Sequence, residues 1–171
     1  MNNFKEDLKY SHECEDDSCW IEIYKKAFPN VQKIISHKED GIHQRNGIDR
    51  SIIMTNSKQI LVDEKARRIK DTGDIMLEYV SNDRTQTLGW AEKALLADYI
   101  AYAFIPSGKA YMLPVLQMQA AWMKNKELWI ARYGTRKAKN EYYNTLNCPV
   151  PTNELFSCIG SMLRIKFNQE Q

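Results

Sequence analysis

The chain has 171 residues, 43% of them hydrophobic and 27% charged, with a formal net charge of +2. That is apolar material for one core of ordinary size, which excludes a globally disordered chain. A charge so near zero neither demands nor excludes a polyanionic partner, and no run of about 18 apolar residues is present for a membrane span.

The polar segment 1–17, with the acidic run Glu13-Cys14-Glu15-Asp16-Asp17, reads as an arm, and 18–171 as a single domain. The arm lacks the apolar stretch of an export signal, so a cytoplasmic protein with reduced thiols is expected. Asp17 or Ser18 suits the cap of a helix in which Trp20, Ile21, Ile23, Tyr24 and Ala27 recur at helical spacing and Pro29 ends the run. A strand is predicted over 31–35, followed by a polar loop over 37–46. Strands over 48–54 and 59–67 are joined through Thr55-Asn56-Ser57-Lys58, which has the composition of a turn. In the second of them Leu61, Asp63, Lys65 and Arg67 share one face, and Ile60, Val62, Glu64 and Ala66 the other. A third strand over 74–81 carries Glu78, which suits a second metal or, better, a cross-strand ion pair with Lys65 or Arg67.

Further along, 89–97 reads as helical, 98–105 and 110–115 as strands around a Pro106-Ser107-Gly108-Lys109 turn, and 116–126 as a helix. Residues 127–133 fit no single element, 142–146 suits a strand, and Thr152 is placed to cap a last helix running to about Leu163. The expected class is α/β or α+β, with one central mixed sheet flanked by helices.

The chemistry concentrates where Gly47-Ile48-Asp49-Arg50 faces Val62-Asp63-Glu64-Lys65 across the predicted hairpin. A phosphodiester repels an anionic nucleophile, and a divalent cation offsets that charge and acidifies water. Mg²⁺ takes hard oxygen ligands and keeps several waters, so two carboxylates suffice. Asp49 and Asp63 suit that role, the backbone carbonyl of Glu64 is a candidate third ligand, and Lys65 is placed to orient water or stabilise charge on phosphorus. Gln44, in the polar approach to Asp49, is a candidate contact to phosphate or water. Unaided by context, Asp and Lys on a strand face are more often a solvated face with surface ion pairs.

Ile48-Asp49 followed by Val62-Asp63-Glu64-Lys65 resembles the core signature of the PD-(D/E)XK nuclease superfamily, over roughly residues 18–115. The Gln…Gly-Ile-Asp-Arg and Val-Asp-Glu-Lys pattern is also similar to that of phage and prophage proteins. The resemblance implies a restriction-endonuclease-like fold and a Mg²⁺- or Mn²⁺-dependent nuclease. In it Asp49 and Asp63 would be the metal-binding acids and Lys65 the motif lysine, and the products would carry a 5′-phosphate. It also implies an acid from the helix before the sheet, for which Glu22 is the candidate and Asp17 the weaker one. Ile48 stands where the eponymous proline would be.

Two basic runs, one with Lys65, Arg67 and Arg68 and one with Arg132, Arg136, Lys137 and Lys139, suit grips on a phosphate backbone. DNA is expected before RNA, and a homodimer would supply the two cuts that a duplex needs. The competing expectation is a non-catalytic, phage-encoded DNA-binding or partner-inhibiting protein that keeps the fold. His12, Cys14 and Cys19 match no familiar zinc spacing, and the four cysteines read as free thiols. The aromatics Trp90, Tyr99, Tyr102, Phe104, Trp122 and Trp129 read as core.

Overall fold

The structure is a computed structural model that describes residues 18–37, 40–160 and 162–168. The polar arm, with Asp17, His12 and Cys14, lies outside the described residues. The described chain forms two compact units, one of residues 18–37, 40–71, 95–115 and 162–168, the other of 72–94 and 116–160.

In the first unit, helix α1 (Ser18–Ala27) turns Cys19, Trp20, Ile23 and Tyr24 inward. Strands β1 (Val31–Ser36), β2 (Arg50–Met54) and β3 (Gln59–Arg67) follow, with a short helix α2 (Gly41–Arg45) between the first two. The Thr55–Lys58 loop closes β2 on β3 with Ser57 at φ 65°, and the Asn56 side chain accepts from the Lys58 N–H. After the excursion through the second unit come β6 (Tyr99–Phe104), β7 (Lys109–Pro114) and, near the chain's end, β10 (Leu163–Lys166). These strands make one mixed sheet, ordered β1-β2-β3-β6-β7-β10, in which only β3 and β6 run parallel. One face of it buries Val62, Ala101, Ala103, Ala110 and Met112 in a cluster with Trp20, Ile23 and Tyr24 of α1. Three alanines there leave room for the Trp20 and Tyr24 rings, which stack at 6.0 Å.

The second unit holds β4 (Asp74–Asn82), β5 (Thr87–Leu88), helix α3 (Val115–Tyr133, all but its first residue), β8 (Arg136–Lys139), β9 (Asn144–Pro151) and α4 (Thr152–Ile159). Its strands form an antiparallel sheet ordered β5-β4-β9-β8. Trp122 and Trp129 of α3 are buried and donate to Glu92 and Glu154, at 2.8 and 2.7 Å.

The protein is thus a mixed α+β chain, with two sheets where one central sheet was expected. The third predicted strand, β4, pairs with β5 and β9 instead of β3. Residues 89–97 form turns instead of a helix. Gly89 runs so close to β4 that a Cβ would sit 2.3 Å from the Glu78 carbonyl oxygen, and this backbone approach takes the place of a helical turn. Residues 127–133 continue α3. Pro151 occupies the cap position of α4; Thr152 is the first helical residue, and its buried hydroxyl makes no hydrogen bond. That helix stops at Ile159, and β10 follows it unforeseen.

Candidate functional site

The β2–β3 register pairs Ser51 with Leu61 and ends at Arg50 opposite Val62, and Asp49, just beyond it, lies close enough to Asp63 for its charge to act on that carboxyl. The backbone holds Asp49 at three points. Its N–H donates to the Val62 carbonyl (2.8 Å), its carbonyl accepts from the His37 N–H (2.9 Å), and its Oδ2 accepts from the Glu64 N–H (2.7 Å). Asp63 is 4% exposed, and its Oδ1 accepts from Lys65 Nζ at 2.5 Å. The two expected acids and the expected lysine therefore meet at one end of the hairpin.

The electrostatics follow from that meeting. Burial pushes the Asp63 carboxyl up to about 6; the Lys65 ammonium opposes the shift, and the charge of Asp49 adds to it. Asp49 and Asp63 are formally two negative charges beside the one ammonium of Lys65, which is bonded to Asp63. The Lys65 side chain is 31% exposed, so its bridge to Asp63 is open to exchange with solvent or an anionic ligand. Gly47, at φ 68°, borders the same spot: a Cβ there would lie 3.7 Å from Asp63 Oδ2 and 2.5 Å from the Leu95 side chain. Hard oxygen donors, surplus negative charge and a wall that lacks a Cβ fit a small divalent cation of the Mg²⁺ class. The residues that would hold it are Asp49 and Asp63. The Glu64 carbonyl belongs to the residue between Asp63 and Lys65, whose N–H is already tied to Asp49.

Glu22 does not join them. Its carboxylate pairs with Lys26 at 2.6 Å and accepts from the Asn168 N–H, and those two contacts hold its pKa below the usual carboxylate range. The helix residue that reaches β3 is Tyr24, whose hydroxyl donates to Glu64 Oε1 at 2.5 Å. Arg50 Nε donates to the same oxygen at 2.5 Å. Glu64 thus points to the α1 side of the sheet, away from Asp63. Burial raises its carboxyl to about 7 against the pull of Arg50 and Tyr24, and its Oε2 is buried without a hydrogen bond.

A second group of chemically able side chains flanks Asp49. His37, Asp40 and His43 bring one ligand atom each to within 4.8 Å of one another. An open hollow of about 610 Å³ is lined by Ser36, His37, Asp40, Gly41, Ile42 and Arg45, and it does not include Asp49, Asp63 or Lys65. The expected polar loop over 37–46 holds α2, and the spacing His-x₂-Asp-x₂-His is the sequence signal for this group. Cys19 and Cys148 are buried and Cys158 is exposed, and none of the three is in a disulfide.

Of the expected nucleic-acid contacts, Gln44 is exposed on α2, and Arg67 lies 6.0 Å above the Tyr102 ring on the Lys65 side of β3. Arg68 follows it, half-buried. Arg132 is drawn to Glu154 at 3.8 Å and to the Tyr133 ring. Arg136, Lys137 and Lys139 project from β8, an edge strand exposed along its length. Among the described residues, no helix is long and apolar enough to cross a membrane.

No protein family matches the chain, and no curated protein or solved structure matches it.

Proposed function

We propose that the protein is a divalent-metal-dependent phosphodiester hydrolase acting on DNA, with a restriction-endonuclease-like arrangement of β2 and β3. The observation that carries this reading is that Asp63, buried in β3, has both the Asp49 carboxylate and the Lys65 ammonium beside it. A bound Mg²⁺ or Mn²⁺ would supply neutralisation at the phosphate and acidify water. Asp49 and Asp63 would hold it through their carboxylates. The Glu64 N–H fixes the Asp49 carboxylate in place. Lys65 keeps its proton on Nζ and turns from Asp63 to donate a hydrogen bond to the attacking water or a phosphoryl oxygen, where negative charge grows in the transition state. Arg67 and Arg68, next along the chain, supply cations for the phosphate backbone.

The test is cleavage of supercoiled, linear and single-stranded DNA, and of RNA, with Mg²⁺ or Mn²⁺ present. Wild-type protein is expected to cut DNA and leave 5′-phosphates, and Lys65→Met to lose about 100-fold or more of the rate while still binding metal. The exposed basic edge β8 favours a second reading, a DNA-binding protein without catalysis. Retention of DNA without cleavage by any metal would establish that reading and end the first.

A further inference from the structure

We propose that His37, Asp40 and His43 form a site for a divalent transition-metal ion of the Zn²⁺ or Co²⁺ type, separate from the Asp49–Asp63 pair. Two imidazoles and one carboxylate are ligands of borderline softness. They suit first-row transition ions, whereas an all-carboxylate pair suits Mg²⁺. Three protein ligands, of which His37 and Asp40 also line the open hollow, leave a position for water or a substrate atom.

The local backbone builds this group deliberately. Asp40 caps α2, its Oδ1 accepting from the Ile42 and His43 N–H groups at 3.0 and 3.2 Å. That fixes the carboxylate and leaves Oδ2 facing His43 Nδ1 at 2.6 Å. His43, three residues on, is thereby turned back over His37, and the two rings stack at 4.1 Å with only 4° between their planes. His37 is anchored at both ends. Its N–H donates to the Asp49 carbonyl, and its Nε2 lies 2.7 Å from the Ser51 hydroxyl, which also accepts from Gln59. A metal-binding histidine commonly has its second nitrogen engaged in this way.

Binding requires the ligand atoms, now spread over up to 4.8 Å, to draw in to about 3.3 Å, the spacing around a tetrahedral ion with bonds of about 2.05 Å, and it requires the His43 ring to rotate out of its parallel stack on His37, because each nitrogen's lone pair lies in its ring plane. His43, whose side chain is 40% exposed, has the freedom to make that movement.

The experiment is titration of the full chain with Co²⁺, followed by its visible d–d absorption, in the wild type, His43→Gln, His37→Gln and Asp63→Asn. One Co²⁺ per chain is expected in the wild type and in Asp63→Asn. Each histidine variant is expected to bind about 10- to 100-fold more weakly. Circular dichroism confirms that the variants are folded, and the surface variant His43→Gln carries the test if His37→Gln unfolds. Absence of a d–d band in the wild type, or a band unchanged in His43→Gln, overturns the proposal. Loss of the band in Asp63→Asn alone also overturns it, by assigning the ion to the carboxylate pair. The proposal does not rest on hydrolase activity: a protein that cuts nothing can still bind Co²⁺ here, and a nuclease can lack this site.

Discussion

Asp63 and Glu64 are neighbours on one strand, both nearly fully buried and both with carboxyls raised above their ordinary range, yet they sit in opposite situations. Glu64 faces α1, where one guanidinium and one phenol converge on a single oxygen. Its charge is matched by Arg50, and the cluster is closed. Asp63 faces the other way, toward a second carboxylate and a lysine that is partly in water. Burial alone therefore does not distinguish a structural carboxylate from a ligand; the balance of partners does. A matched pair is a fixed part of the core, whereas an unmatched one gains from a cation supplied from outside.

The sharpest way to break this contrast is to unbalance the closed side. Arg50→Met leaves Glu64 buried without its cation, and chemical denaturation should show a loss of about 3–5 kcal/mol. A loss below about 1 kcal/mol would mean that the Glu64 cluster is not the closed pair described. Next in size is the response to Mg²⁺. At about 100 times its Kd the ion should raise wild-type stability by about 2.7 kcal/mol and leave Asp63→Asn unchanged, read as a shift in the denaturation midpoint.

A pH series separates the two carboxyls further. Because both folded values are raised, the fold favours the protonated forms. That contribution is complete below the unfolded-chain values of 3.8 and 4.5 and is lost as pH rises through about 6 for Asp63 and about 7 for Glu64. Asp63→Asn removes the part lost between about pH 4 and 6, so without divalent ions it should be about 3 kcal/mol more stable than wild type at pH 7. The exposed carboxylates Asp40 and Asp83 shift downward and act in the opposite sense, but equally in both proteins. The smallest effect expected is that of Glu22→Gln, within about 0.5 kcal/mol in stability and without change in Mg²⁺ affinity.

Much of the hairpin was legible because it is local. Turn residues at 55–58 set the two strands against each other, and that brings Asp49, just past the Arg50–Val62 pair, beside Asp63. Alternation along β3 placed Glu64 on the apolar face. Asking what a glutamate needs there would have pointed to Arg50, one residue from Asp49 on the facing strand. Glu22 was excluded by its own helix: it lies two residues, about 200°, from both Trp20 and Tyr24, which mark the buried side. The departure of β4 to a second sheet was not legible, because its partner β9 lies some seventy residues on and alternation names no partner. Nor was β10 foreseen, since a four-residue strand gives too little pattern and depends on β7 for its place.

The central claim is that the Asp49–Asp63 side of β3 takes a cation and the Glu64 side does not. Titration calorimetry with Mg²⁺ at pH 7.5 on wild type, Asp63→Asn and Glu64→Gln tests it most directly. The expected result is one ion bound by wild type and by Glu64→Gln, with affinity at least about tenfold weaker in Asp63→Asn. Equal uptake by Asp63→Asn and wild type, or none by wild type at millimolar Mg²⁺, would contradict it.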